Sequence, residues 1–223
     1  MSALIRYQLA LLLRSQRWLP PFLAYLLVLG TGVAGDQPMM DCLGYAAAVL
    51  VPVTAWYARC TLTADPPQAR ACLVAAAGAA RVQLASLAAA LVAGLVLAVL
   101  EVVAIWLVCG RTTILAGHEV PWAQAALAGL LAAVCGVLVG VAAGALSHRP
   151  VLLRGSYGIL AALGLSVLAL VVPHSPANAA VRALVLGSQL ARVRYPLAAL
   201  AVAALLALLA AAGTAALARR RTE

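Results

Sequence analysis

No lysine occurs anywhere in this chain: its fifteen basic residues are all arginine. A Walker A loop needs a lysine on the nucleotide phosphates and a Schiff-base enzyme needs a lysine amine, so the sequence offers neither chemistry. Acidic residues are scarce as well, six in 223, and phenylalanine occurs once. There is no Gly-x-Ser-x-Gly elbow, no HExxH, no carboxylate pair within an apolar run and no Cys/His cluster, which excludes the usual constellations of an intramembrane hydrolase or metalloenzyme. His118 and Glu119 stand together but lack the spacing that puts two imidazoles on one zinc, and they read as solvated loop residues. Cys42, Cys60, Cys72, Cys109 and Cys135 show no CxxC spacing and are odd in number, which argues against a disulfide framework. They read as small apolar fillers, with the question open whether Cys42 and Cys109 meet near one surface.

What is abundant is apolar surface. Of the residues, 66% are hydrophobic and 9% charged, a balance too apolar for one soluble core, so lipid must be the solvent for most of the chain. A spanning helix takes about 20 apolar residues, and the length accommodates six with short connections and no sizeable soluble domain. The expected fold is all-α, a polytopic membrane bundle. The formal charge of +9 is spread between apolar runs instead of gathered in a patch, so it reads as topology signals and lipid-headgroup contacts and not as a nucleic-acid surface.

Residues 1–17, taken as a helix, gather Arg6, Arg14 and Arg17 into one stripe with leucines around the rest. That is the pattern of an amphipathic helix lying at the membrane interface, or of the start of the first span. A cleaved signal peptide would place a short basic region directly before its apolar core, and here about 17 residues precede it, so the segment is expected to stay in the mature protein. The transmembrane domain is then 18–223. Its spans are read at about 18–35, opened by Pro20-Pro21; 41–57, kinked at Pro52; 82–109; 122–146; 151–172; and 195–217. Between the second and third, Thr63-Ala64-Asp65-Pro66-Pro67-Gln68-Ala69-Arg70 predicts a short surface helix over about 65–77, with Asp65 as N-cap, Pro66 at the first helical position and Gly78 as terminator. Residues 173–194 carry Pro173, Pro176, Arg182, Arg192 and Arg194 and read as an outer, non-spanning piece at the interface or dipping in and returning. Its arginines could meet lipid phosphates or anionic substrates.

Orientation follows from the connections. With the first residues inside, the cytoplasmic segments hold eleven arginines and the outer ones four, the bias the positive-inside rule describes, so both termini are expected in the cytoplasm. Two features inside the spans stand out. Glu101 is the one carboxylate deep in an apolar run, where a charge costs roughly 2.5 kcal/mol or more. It is read as a pathway contact, as an ion-pair partner of Arg182, Arg192 or Arg194, or as a protonated hydrogen-bonding group. Gly136, Gly140 and Gly144 line one helix face with bare backbone, a strip for close helix packing.

The opening MSALIRYQLALLLRSQRWLPPFLAYLLVL, the short helix TADPPQARACLVAAAG between spans two and three, and a non-spanning piece before span six together resemble the membrane subunits of type-2 ABC exporters, particularly the small permeases of actinobacteria. The resemblance runs over essentially the whole chain and rests on architecture. It implies a multi-pass subunit of the bacterial cell membrane with no enzyme activity of its own, ATP and magnesium being held by a separate cytoplasmic ATPase, and a second permease copy or related permease completing the transporter. It also implies that 65–77 is a coupling helix, with Asp65, Gln68 and Arg70 among its contacts to the ATPase. The residues leave two other readings open: a membrane anchor or assembly protein that recruits a cytoplasmic partner through the same helix, and an ion-coupled carrier using Glu101. The substrate is not legible in these spans.

Overall fold

The computed structural model describes residues 1–33, 37–109, 114–115, 118–119, 121–147, 158–190 and 192–220. Among them the chain is helical apart from one two-residue antiparallel pair, β1 (Ile114–Leu115) and β2 (His118–Glu119), in register Ile114 to Glu119. The helices are α1 (Ser2–Arg14), α2 (Leu19–Gly32), α3 (Met39–Leu62), α4 (Pro67–Ala77), α5 (Ala79–Cys109), α6 (Trp122–Leu146), α7 (Gly158–Val171), α8 (Pro176–Gln189) and α9 (Leu197–Arg220). Four of them, α3, α5, α6 and α9, are long and apolar enough to cross a membrane, and α7 with α8 makes a fifth if that bent pair is one crossing. The chain is therefore a helical membrane protein.

α3 is the hub: it packs against α2, α5, α6, α7 and α8, most extensively against α6. Its seam with α6 is built on the glycine strip. A Cβ at Gly136 would lie 2.8 Å from the Ala47 carbonyl oxygen, and one at Gly144 would lie 2.6 Å from that of Ala55. At Gly140 it would overlap the Thr54 hydroxyl and the Val51 carbonyl. Only bare backbone allows this approach. Pro52 lies within α3 without ending it. At the far end of the same helix the sulfurs of Cys42 and Cys109 lie 3.1 Å apart, joining α3 to the end of α5.

Several boundaries differ from the sequence reading. α3 extends past both expected ends, taking in Met39 and Arg59; at its last residue the Leu62 carbonyl accepts from Arg70. α2 covers only 14 residues; the expected closure by Asp36 falls outside the described residues. So do Arg111, the 148–150 exit of α6, the 151–157 start of the fifth span, and Arg221. Residues 173–194 are read as a non-spanning piece at the interface or dipping in and returning; here α8 follows α7 after a four-residue break at a bend of 47°, the geometry of a broken span or of a re-entrant segment. It packs against α3, α6 and α9, with Leu184 fully buried and close to Gly44. Pro173 and Pro176 lie at this break, in a helix pair held by its neighbours.

Candidate functional site

Two places bring polar chemistry together. The first is a junction where α1, α3, α4 and α5 meet, at the end of the bundle that carries Arg59, Arg70 and Arg81. Asp65, expected to cap α4, does not do so: the N-cap position is Pro66, without a side-chain cap. Asp65 instead accepts a 2.7 Å hydrogen bond from Gln8 Nε2 of α1. Arg70 reaches back from α4 to the Leu62 carbonyl (3.2 Å) and to Gln83 Oε1 of α5 (3.1 Å). Arg17 donates to the Thr63 carbonyl at 2.8 Å. α4 is thus fastened at its start to three other helices, and Gly78, at φ +86, turns the chain into α5 in a conformation that side chains disfavour.

Gln8 and Gln83 are buried, yet Gln8 Oε1, Asp65 Oδ1 and Gln83 Nε2 have no hydrogen-bond partner among the described residues. Gln68 points away from this network and is exposed, as are Pro67, Ala71, Cys72, Ala75 and Ala76; no residue of α4 is buried. Of the three expected partner contacts, the structure therefore commits Asp65 and Arg70 to intramolecular bonds and leaves Gln68 on an uncovered face of small residues.

The second place is in the apolar interior. Glu101 is 2% exposed and accepts a 2.5 Å hydrogen bond from the Tyr25 hydroxyl of α2. The bond comes from a tyrosine and not from Arg182, Arg192 or Arg194, which correct the ion-pair expectation: their helix and loop lie elsewhere, with Arg182, Arg192 and Arg194 exposed. Glu101 Oε1 has no partner among the described residues. The pair is a narrow bridge, because α2 otherwise packs chiefly on α3.

Below the bridge α2 and α5 part, leaving a crevice of about 340 Å³ closed on its third side by α1. Trp18, just before α2, and Phe22 of α2 line it together with Val92, Val96, Leu97 and Leu100 of α5, Leu9, Leu12 and Leu13 of α1, and Tyr57 of α3. Helical spacing places Tyr25 on the stripe of Trp18 and Phe22, and Glu101 one turn beyond Leu97, so the polar bridge heads both walls.

Sequence reasoning missed Gln8, Gln83 and Tyr25. Tyr25 falls within the first span read from the sequence, and no periodicity announces a partner 76 residues away. A signal did exist: a lone carboxylate in an apolar run requires a donor, and tyrosine hydroxyls are among the few donors these spans contain.

Among the described residues no group of three or more His, Cys, Asp or Glu side chains is placed to hold a metal. Scans against protein-family models, curated proteins and solved structures each found no match to this chain.

Proposed function

We propose that this protein is the membrane-spanning permease subunit of a transporter driven by a separate cytoplasmic ATPase, with α4 as the helix on which that ATPase acts. The observation that carries the reading is the construction of α4: an uncovered face of small residues around Gln68, on a helix tied through Asp65, Arg70 and their partners to α1, α3 and α5. A push on the free face is delivered to three helices at once. Direction of transport, export, rests on the family resemblance alone.

The reading takes the bundle as six crossings with both termini in the cytoplasm of a bacterial cell. α2, though short, supports this by its register on α3. Tyr57 donates to the Trp18 carbonyl at 3.4 Å and Tyr45 to the Val28 carbonyl at 3.0 Å, so α2 runs alongside α3 over most of its length. α7 with α8 supplies the fifth crossing. Its break lies at mid-depth, since the Pro176 carbonyl accepts from Cys135 Sγ midway along α6. Pro173 and His174 of that break are exposed. Irregular backbone at that depth is tolerated only against protein or a watery path, which supports a second permease copy, or a related permease, on this face.

The test is co-purification from detergent extracts, with ATPase assay of whatever is captured, comparing wild type with Gln68→Arg and Ala71→Arg. The proposal expects an ATPase to accompany the wild type and to be lost from both variants. A partner without ATPase activity would establish instead the recruiting-anchor reading. Activity of the purified chain that depends on Glu101 and on no partner would establish the ion-coupled carrier.

A further inference from the structure

We propose that the crevice between α1, α2 and α5 is a binding site for one anionic phospholipid, taking a single acyl chain into the crevice with the phosphate held by Arg14 and Arg17. This rests on the orientation proposed above only for the leaflet involved, which is the cytoplasmic one.

Depth, opening and charge together identify the occupant. The α5 wall from Val92 to Leu100 rises about 12 Å, close to the roughly 15 Å of one leaflet's hydrocarbon. Its lining is aliphatic and aromatic, and the one hydroxyl on it, that of Tyr57, donates to the Trp18 carbonyl, so the surface favours hydrocarbon. The crevice opens sideways: Leu13, Val96 and Leu100 are each more than half exposed, and a hydrocarbon chain enters from the bilayer without crossing water. At the rim, Arg14 follows Leu13 and Arg17 precedes Trp18, so both crevice-lining side chains have an exposed arginine as sequence neighbour. Neither α1 nor its link to α2 contains an acidic residue. Arg17 uses one guanidinium nitrogen on the Thr63 carbonyl and keeps donors for a phosphate oxygen. The polar bridge above marks where the chain must end, because a methyl terminus gains nothing by displacing the Tyr25 hydroxyl from Glu101.

A bound chain would fill the gap that separates α2 from α5 and seat α1 on it, and α1 carries Gln8, the partner of Asp65. Lipid occupancy and the set of α4 are thereby linked through one helix.

The test uses a variant that keeps Trp18 as sole tryptophan (Trp56→Phe, Trp106→Phe, Trp122→Phe), reconstituted in nanodiscs with increasing fractions of acyl-brominated lipid, whose bromine quenches indole on contact. Both leaflets are identical there, so the result does not depend on orientation or on any ATPase. Brominated phosphatidylglycerol is expected to quench Trp18 saturably, at about tenfold lower mole fraction than brominated phosphatidylcholine. Arg14→Gln with Arg17→Gln should merge the two curves. Ala93→Leu, which narrows the crevice, should abolish the saturable component, while oxidative joining of Cys42 to Cys109 reports that each variant is folded. Identical curves for the two lipids in the wild type overturn the phosphate assignment. Unsaturable quenching, saturable quenching that survives Ala93→Leu, or saturation by a brominated fatty acid and not by phospholipid overturns the site.

Discussion

Replacing Gly140 by alanine should loosen the bundle even though alanine is the better helix former. At this position an added Cβ would run into the Thr54 hydroxyl and the Val51 carbonyl of α3, with the Ala55 amide nitrogen 3.1 Å away. Two of these neighbours are backbone and cannot rotate aside, so the helices must separate along a seam that also includes Gly136 and Gly144. Overpacking of this kind costs about 1–3 kcal/mol, and the contact is among the closest in the chain, which points to the upper part of that range. Against it stands the gain of about 1 kcal/mol from alanine over glycine within a helix. The net loss is about 2 kcal/mol. Gly213 of α9 is the control, because a Cβ there meets nothing within 4 Å, and Gly213→Ala should keep the propensity gain. The two variants should differ by about 3 kcal/mol, or roughly 6–12 °C for a chain of this size. Thermal unfolding in one detergent, followed by tryptophan fluorescence, measures the difference. If Gly140→Ala melts at or above Gly213→Ala, the α3–α6 seam is not packed as described.

Three further outcomes are expected. Mild oxidation of a variant retaining only Cys42 and Cys109 should join them, since their sulfurs are 3.1 Å apart; intact-mass analysis would show the loss of two hydrogens, and thiols that both still alkylate afterwards would contradict the contact. Tyr25→Phe should cost about 1–3 kcal/mol by leaving the buried Glu101 carboxyl without its donor, and Tyr25→Phe combined with Glu101→Leu should recover much of it; a double variant as weak as the sum of the single ones would show that the two groups do not interact. Cys72, exposed on α4, should react with an impermeant maleimide only in inside-out vesicles, and labelling of intact cells would reverse the proposed orientation.

The arrangement of long helices was legible because lipid imposes it: twenty apolar residues between arginines admit few alternatives, and the four-residue glycine period marks a close seam whichever helix lies opposite. What the sequence hid were partnerships at long range. Asp65 stands where a helix cap belongs, and local rules gave it that role, but Gln8 lies 57 residues earlier and competes for it successfully. Arg70 is named as a partner contact through the resemblance; its acceptors are the end of α3 and the start of α5, which only the fold brings together. α8 is hard to read from sequence for the converse reason. Arg182 and Asn178 lower its apolarity below that of a span, yet Asn178 spends its side-chain amide on the Leu170 carbonyl at 2.6 Å. With Arg182 exposed, the apolar face is buried against α3 and α6. Hydropathy measures affinity for lipid, and this segment answers mainly to protein.

The central position of α3 carries a consequence for how the chain is made. It is the least hydropathic of the four long helices, and two thirds of its most apolar stretch is buried inside the bundle. Of its helix neighbours, α1 and α2 precede it, while α5, α6, α7 and α8 are synthesised later. The least hydropathic of the long helices is thus made before the neighbour that covers its Val51 and Ala55 carbonyl edge, while its Thr54 hydroxyl is already satisfied within α3 by the Leu50 and Val51 carbonyls. The close seam between α3 and α6 can therefore form only once α6 has been made.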